Sequence, residues 1–215
     1  MRGSHMIIAS VVLIAIAFGG LLYATGGEDN AATRPATATQ PASRPATQPA
    51  SQPAKPQVVI DTSLGEIMVE LDEQRTPETV KNFLRYVDDR FYDGLIFHRV
   101  VEGFMIQAGW LTPQLQVREP TYPPIVNESR GAASNTRGTI AMARLTDPNS
   151  ATCQFFINHA DNVRLDTWGG GYTVFGRVVK GMDVVDRIAA VPVRQTSFSE
   201  GLPVQSVIIR SIRRK

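Results

Sequence analysis

Chemistry that depends on thiols, metals or an activated hydroxyl has little to work with in this chain. Its 215 residues include one cysteine, Cys153, so no intrachain disulfide can form and stability must come from packing. A lone thiol inside an apolar run reads as a small buried hydrophobe. Of the three histidines, His5 falls in residues 1–5, which read as an expression-tag remnant; His98 and His159 with one cysteine make no zinc spacing. No G-x-S-x-G elbow occurs, which disfavours a serine hydrolase. The glycines at 169, 170 and 171 lack the spacing of a phosphate cradle and read as a flexible loop. No cofactor and no metal is expected.

Charge of one sign is also missing. The chain carries 22 Lys and Arg against 20 Asp and Glu, a net charge of +2. Four of those cations and two of the anions precede Val58, so the remainder is balanced. It has no basic excess suited to nucleic acid. The closing Arg213-Arg214-Lys215 reads as a solvated tail.

The first quarter differs in kind from the rest. Residues 6–24 hold nineteen positions without a charge, rich in Ile, Val, Leu and Ala, close to the ~20 that cross a bilayer as a helix. With its flank to residue 25 this segment is read as membrane-targeting, either a retained anchor or a signal cleaved near Ala24-Thr25-Gly26. An extracytoplasmic location, in the periplasm or cell envelope, follows. Residues 26–56 are built largely from Ala, Thr, Pro, Gln and Ser, with prolines at 35, 41, 45, 49, 53 and 56. Such a stretch cannot bury a core and reads as a semi-rigid tether. Residues 57–215 are long enough for one well-buried domain.

Within that domain, β-branched residues on both sides of Thr62-Ser63-Leu64-Gly65 predict a hairpin. Thr76 can cap a helix that has Pro77 in its first turn and Val80, Phe83, Leu84 and Val87 on one face. Strands are expected around 95–100, 104–108, 138–143, 153–158, 173–179 and 205–212, with a second helix over 182–190. Many antiparallel strands and two helices point to a closed barrel or a sandwich, the helices covering its openings. The long connection 109–136 is where a groove would be walled.

Two stretches carry the chemistry. Residues 97–109, F-H-R-V-V-E-G-F-M-I-Q-A-G, put an arginine and a glutamine among large apolar side chains on two strands around a Glu102-Gly103 turn. Residues 153–158 add Gln154 and Phe156 on one strand face, with Phe155 and Ile157 on the other. Together they sketch an apolar pocket with polar edges, suited to a reaction that needs no nucleophile. Phe83, Phe91, Phe97, Phe155 and Phe175 read as core.

At these motifs the sequence resembles the cyclophilin family of peptidyl-prolyl cis-trans isomerases, especially its compact bacterial members. The similarity spans 58–212 and includes Thr76-Pro77-Glu78-Thr79, the 97–109 run, residues 138–144, residues 150–158, Val174-Phe175-Gly176 and residues 181–185. It implies a mainly β fold, a closed eight-stranded antiparallel β-barrel capped by two α-helices. It also implies that Arg99 donates to the prolyl nitrogen with Gln107 as its neighbour. Phe104, Met105, Phe156 and Leu165 match positions seating the proline ring; strict alternation puts Met105 beside Gln107 but does not place Phe104 there. Ala143, Arg144 and Gln154 match positions that contact the substrate backbone. His98, the neighbour of Arg99, has a possible supporting role, although a histidine between apolar residues is more often structural.

Two departures from the pattern stand out: Arg164 replaces a tryptophan of eukaryotic relatives, and Tyr172 replaces a histidine near the pocket. The partners implied are proline-containing polypeptides, with weak cyclosporin binding. A non-catalytic peptide-binding or chaperone module on the same fold is the competing reading.

Overall fold

The computed structural model describes residues 55–215. The charge-free segment and nearly all of the proline-rich stretch lie outside the described residues. From Gln57 the side chains alternate between buried and part-exposed, and the chain folds into β1 (Gln57–Thr62) and β2 (Gly65–Leu71) as the expected hairpin. Helix α1 (Pro77–Asp88) follows, then β3 (Phe97–Val101), β4 (Met105–Ala108), β5 (Thr139–Met142), β6 (Phe155–Asn158) and β7 (Val174–Lys180). Helix α2 (Met182–Ala189), a short pair β8 (Val193–Arg194) and β9 (Leu202–Pro203), and β10 (Ile209–Arg214) complete the order. Two 3-10 turns, Val163–Asp166 and Trp168–Gly170, precede β7.

Eight strands form one antiparallel sheet in the order β10-β1-β2-β7-β5-β6-β4-β3. It is a curled, open half-barrel and not the closed barrel expected. The edge strands β10 and β3 share no ladder; the seam is an Ile96–Ile208 bridge, flanked by Phe97 N–H donating to Val207 O at 3.0 Å, Gly94 N–H to Ile209 O at 2.8 Å and Ile209 N–H to Leu95 O at 2.8 Å. The physical reason lies in the free edge of β3, which is taken by another segment: Val100 N–H donates to Gly201 O at 2.7 Å. A Cβ at position 201 would stand 2.0 Å from the Val100 carbonyl oxygen, so only glycine permits that approach.

Side-chain alternation divides the sheet into two apolar faces. Ile106 and Ala108 of β4, Ile140 and Met142 of β5, Phe155 and Ile157 of β6 and Phe175 of β7 point into the main core, with Phe83 and Tyr86 of α1 and Val185 and Ile188 of α2. Phe83 meets Phe155 edge-on at 5.6 Å and Phe175 at 5.0 Å between ring centroids, and Phe91 and Phe97 are core as well. The residues between them, Met105, Ala141, Phe156 and Val174, face the other way and form a second cluster.

Two local expectations are corrected. Thr76 occupies the N-cap position of α1, but its hydroxyl donates backward to Asp72 O and leaves the helix's free N–H groups unserved. The carboxylate of Glu128 serves them instead, accepting from Glu78 N–H at 3.2 Å, Thr79 N–H at 2.8 Å and the Thr79 hydroxyl at 2.7 Å. A negative group belongs at that positive helix end, and here it pins the long 109–136 connection to the helix. The C-terminal arginines are not a solvated tail: Arg213 and Arg214 lie in β10, paired with Asp93 and Asp88, each at 2.6 Å.

Replacing Glu128 by Ala removes a cap from a partly buried helix start and should cost about 1–2 kcal/mol. Glu128→Gln, which keeps an acceptor, should cost less. Urea unfolding of the full chain measures both, and an unmoved midpoint for Glu128→Ala would contradict the capping role.

Candidate active site

Position 99 faces outward because of an irregularity in β3. Phe97 pairs with Ala108 and Arg99 with Gln107, so two steps on β3 oppose one on β4 and His98 is the extra residue of a bulge. Without it, Phe97 and Arg99 would share a face. With it, Phe97 and Val100 enter the main core while Arg99 lies over the second cluster.

The Arg99 side chain is one-quarter exposed, its fork held on several sides. Nε donates to Glu200 Oε1 at 3.0 Å, and Nη2 makes a short contact with the same oxygen. Nη1 makes longer contacts, 3.4 Å to Gln107 Oε1 and 3.8 Å to Met105 Sδ, and the guanidinium carbon lies 5.6 Å from the centroid of the Phe104 ring. Gln107 Nε2 donates to Gln154 Oε1 at 3.0 Å, which turns the Gln107 oxygen toward Arg99. Gln107 is also the register partner of Phe156.

Met105, Phe156, Leu165 and Tyr172 are buried together with Ala141 and Val174, and Phe104 and Ala143 pack at the margin. Phe104 escapes strict alternation because it belongs to the turn: its N–H donates to Val101 O, and β4 begins at the next residue. Its carbonyl accepts from His159 N–H at 2.9 Å and Asn162 Nδ2 at 2.7 Å, which fixes the turn against the segment after β6. Leu165 sits on a 3-10 turn whose Asp166 carboxylate accepts from Asn135 N–H at 2.7 Å and Asn135 Nδ2 at 2.9 Å, and from the Ser134 hydroxyl. Burial alone would raise the Asp166 carboxyl, but these hydrogen bonds outweigh it and hold it below its ordinary value.

Three residues make contacts beyond this apolar patch. Arg144 is committed to backbone: it donates to the carbonyls of Gly171 at 3.1 Å, Leu145 at 2.9 Å, Trp168 at 3.2 Å and Gly169 at 2.7 Å, and lies 4.3 Å over the Tyr172 ring. It holds the glycine loop and steadies Tyr172, whose hydroxyl is pushed up by burial. Ala143 donates its N–H to Gln154 O at 3.0 Å, tying the end of β5 to the residue before β6. His98 lies behind Arg99, edge-on to Trp110 at 5.4 Å. It is 3% exposed, and its Nδ1 has no hydrogen-bond partner.

Burial first, and the positive charge of Arg99 second, push the His98 imidazole down to about 3. Cys153 is equally inert: it is buried, its thiol donates to Gly109 O at 3.3 Å, and burial pushes it up to about 11. Among the described residues no group of three His, Cys, Asp or Glu could hold a metal ion.

Glu200 gives no local signal in the sequence. It is 101 residues from Arg99 and stands in a Ser-Glu-Gly run that no motif marks. Asn162 was hidden in the same way.

The buried His98 has a pH consequence. From pH 6.5 down to about 3 the unfolded chain takes up a proton at this residue that the folded chain refuses, so stability falls as pH falls, by up to about 1.4 kcal/mol per pH unit. His98→Leu should flatten that slope in urea unfolding, and the His98 ring signals of the folded protein should not titrate around pH 6.5. A ring that titrates near 6.5 would contradict the burial argument.

Comparison with known proteins agrees with this geometry. Residues 57–214 match the family described as cyclophilin type peptidyl-prolyl cis-trans isomerase/CLD. A peptidyl-prolyl cis-trans isomerase of Streptomyces antibioticus is 47% identical over 161 residues, 73% of this chain and 96% of the relative. Peptidyl-prolyl cis-trans isomerase B of Escherichia coli (strain K12) is 46% identical over 160 residues, 72% of this chain and 97% of the relative. A cyclophilin type isomerase of Cryptosporidium parvum, crystallised in the presence of the dipeptide Ala-Pro, superposes with a TM-score of 0.64 at 26% identity, covering 73% of this chain and 97% of the other. A curled eight-stranded sheet with two helices, an arginine fork over an apolar patch, and relatives bearing this one activity lead to a single conclusion: the chain belongs to the cyclophilin family of peptidyl-prolyl cis-trans isomerases, enzymes that catalyse rotation about the X-Pro bond.

Proposed function

We propose that this isomerase acts on proline-containing segments of exported polypeptides, with Arg99 as the group that speeds rotation. The observation that carries the reading is a guanidinium held above the cluster of Met105, Phe156 and Leu165. Peptide-bond resonance sets a barrier of ~18–20 kcal/mol, and X-Pro exchange takes tens to hundreds of seconds without help. An N–H donated to the prolyl nitrogen favours its pyramidal form, in which that resonance is lost. Arginine suits the task because it stays charged and has donors to spare.

The apolar cluster seats the pyrrolidine ring and excludes water, so the donated hydrogen bond acts in a low dielectric. Lowering the barrier by ~7 kcal/mol corresponds to roughly 10⁵-fold acceleration, with no covalent step required. Phe104, Ala143, Gln154 and Tyr172 border the cluster and complete the peptide-binding surface. Arg144 contributes indirectly, by holding the 168–171 loop over Tyr172. Ala-Pro, the dipeptide present in the Cryptosporidium parvum crystals, has the chemistry this surface would take.

Turnover of an X-Pro tetrapeptide by the full chain tests the reading. Arg99→Ala should lower kcat/KM by two to three orders of magnitude with unchanged circular dichroism, a loss on the order of 10²–10³ as expected for a main electrostatic group. Unchanged turnover would remove Arg99 from the mechanism, and peptide binding with no turnover in the parent protein would favour the chaperone reading. Cyclosporin titrated into the same assay should inhibit weakly, since the exposed Arg164 stands where the resemblance expects a tryptophan; nanomolar inhibition would contradict that.

An extracytoplasmic place, in periplasm or envelope, is supported by the charge-free residues 6–24 followed by the proline-rich spacer. Fractionation of the untagged protein should recover it with membranes, or outside them in processed form. Recovery of unprocessed chain in the cytosol would overturn the assignment.

A further inference from the structure

The contact between Arg99 and Glu200 is built from both sides. The residues flanking Glu200 bond to the backbone of the residues flanking Arg99: Ser199 Oγ donates to His98 O at 2.9 Å, and Val100 N–H donates to Gly201 O at 2.7 Å. The segment is further stiffened by Ser199 N–H donating to Thr196 Oγ1 at 2.9 Å and Thr196 N–H donating to Ser199 O at 2.7 Å. Ser199 is buried, and any side chain at 201 would collide with Val100 O at 2.0 Å. These contacts hold the backbone at position 200 opposite position 99.

One carboxylate oxygen then takes two of the three guanidinium nitrogens, Nε and Nη2. The third, Nη1, has only the long contacts to Gln107 Oε1 at 3.4 Å and Met105 Sδ at 3.8 Å. Charge-assisted bonds to a carboxylate are roughly twice as strong as neutral ones, so Nε and Nη2 are held while Nη1 can exchange its weak partners for another acceptor. Nη1 is also the nitrogen beside Met105, on the apolar cluster.

We propose that Glu200 is the positioning residue of this active site: it fixes the Arg99 fork so that Nη1 is the amino group presented to the prolyl nitrogen. The proposal rests on the assignment of Arg99 as the rate-enhancing group. Its chemistry is electrostatic and geometric, with no bond made or broken at Glu200.

The test is a double-mutant cycle in the full chain, read by tetrapeptide turnover. Glu200→Ala should lower kcat about tenfold with KM changed less than about twofold, since a donor misplaced by about an ångström loses rate without losing the seat. Glu200→Gln, which keeps the accepting oxygen, should recover most of the rate. Glu200→Asp, a carboxylate one methylene too short, should not, and it serves if the alanine variant fails to fold. Added to Arg99→Ala, Glu200→Ala should lower turnover no further, because its effect passes through the guanidinium. The Arg99 Nε–H signal in ¹⁵N NMR should be sharp in the parent and broaden or shift in Glu200→Ala.

Unchanged turnover and an unchanged Nε–H signal in Glu200→Ala and Glu200→Asp would overturn the proposal while a slow Arg99→Ala left the arginine's role standing. Equal losses from Glu200→Ala with and without Arg99 would mean a merely structural role. Full turnover by Arg99→Ala would instead bring down the reading on which the proposal rests.

Discussion

One extra residue in β3 governs the rest of the site. A regular strand would send Phe97 and Arg99 to the same face, leaving a choice between a phenylalanine torn from the core and an arginine buried in it. The bulge at His98 removes that conflict. It keeps Phe97 and Val100 in the main core, turns Arg99 onto the outer apolar cluster, and buries the extra side chain against Trp110. The cost is an imidazole without a partner for Nδ1, kept neutral by its surroundings.

The cluster beneath Arg99 is apolar for the same structural reason that the core is. A sheet with alternating side chains has two faces, and here both are apolar on β4, β5, β6 and β7. The inner face is sealed by the two helices. The outer face is bordered by the Phe104 turn, the Leu165 turn and the glycine loop, each tied down by polar side chains: Asn162, Asp166 and Arg144. Rotation about an amide needs such a place, dry enough to strengthen one hydrogen bond and rigid enough to aim it. In the proposed mechanism, polar groups at the margin do the aiming and the apolar floor does the excluding.

Much of this was legible in the sequence where local periodicity decides the outcome. The first hairpin, both helices and the core phenylalanines follow from alternation, from Pro77 at a helix start and from the spacing of Val80, Phe83, Leu84 and Val87. Legibility failed where long-range contacts override local preference. Thr76 has the right chemistry for a cap, yet Glu128 does the capping from a loop 49 residues away. The last arginines read as a tail because their partners, Asp88 and Asp93, are more than a hundred residues off. Closure of the sheet was expected by resemblance, but the free edge of β3 bonds to Gly201 in place of a strand ladder. Glu200 was invisible for the same cause: its meaning comes entirely from what lies across the fold.

The central claim is that an Arg99 amino group meets the prolyl nitrogen above a ring seated on Met105, Phe156 and Leu165. A crystal structure of the full chain bound to a proline-containing peptide measures this directly. Arg99 Nη1 should lie about 3 Å from the prolyl nitrogen, ordinary hydrogen-bond reach, with the ring against Phe156. A peptide bound on another surface, or a ring seated there with Arg99 turned away from its nitrogen, would contradict it.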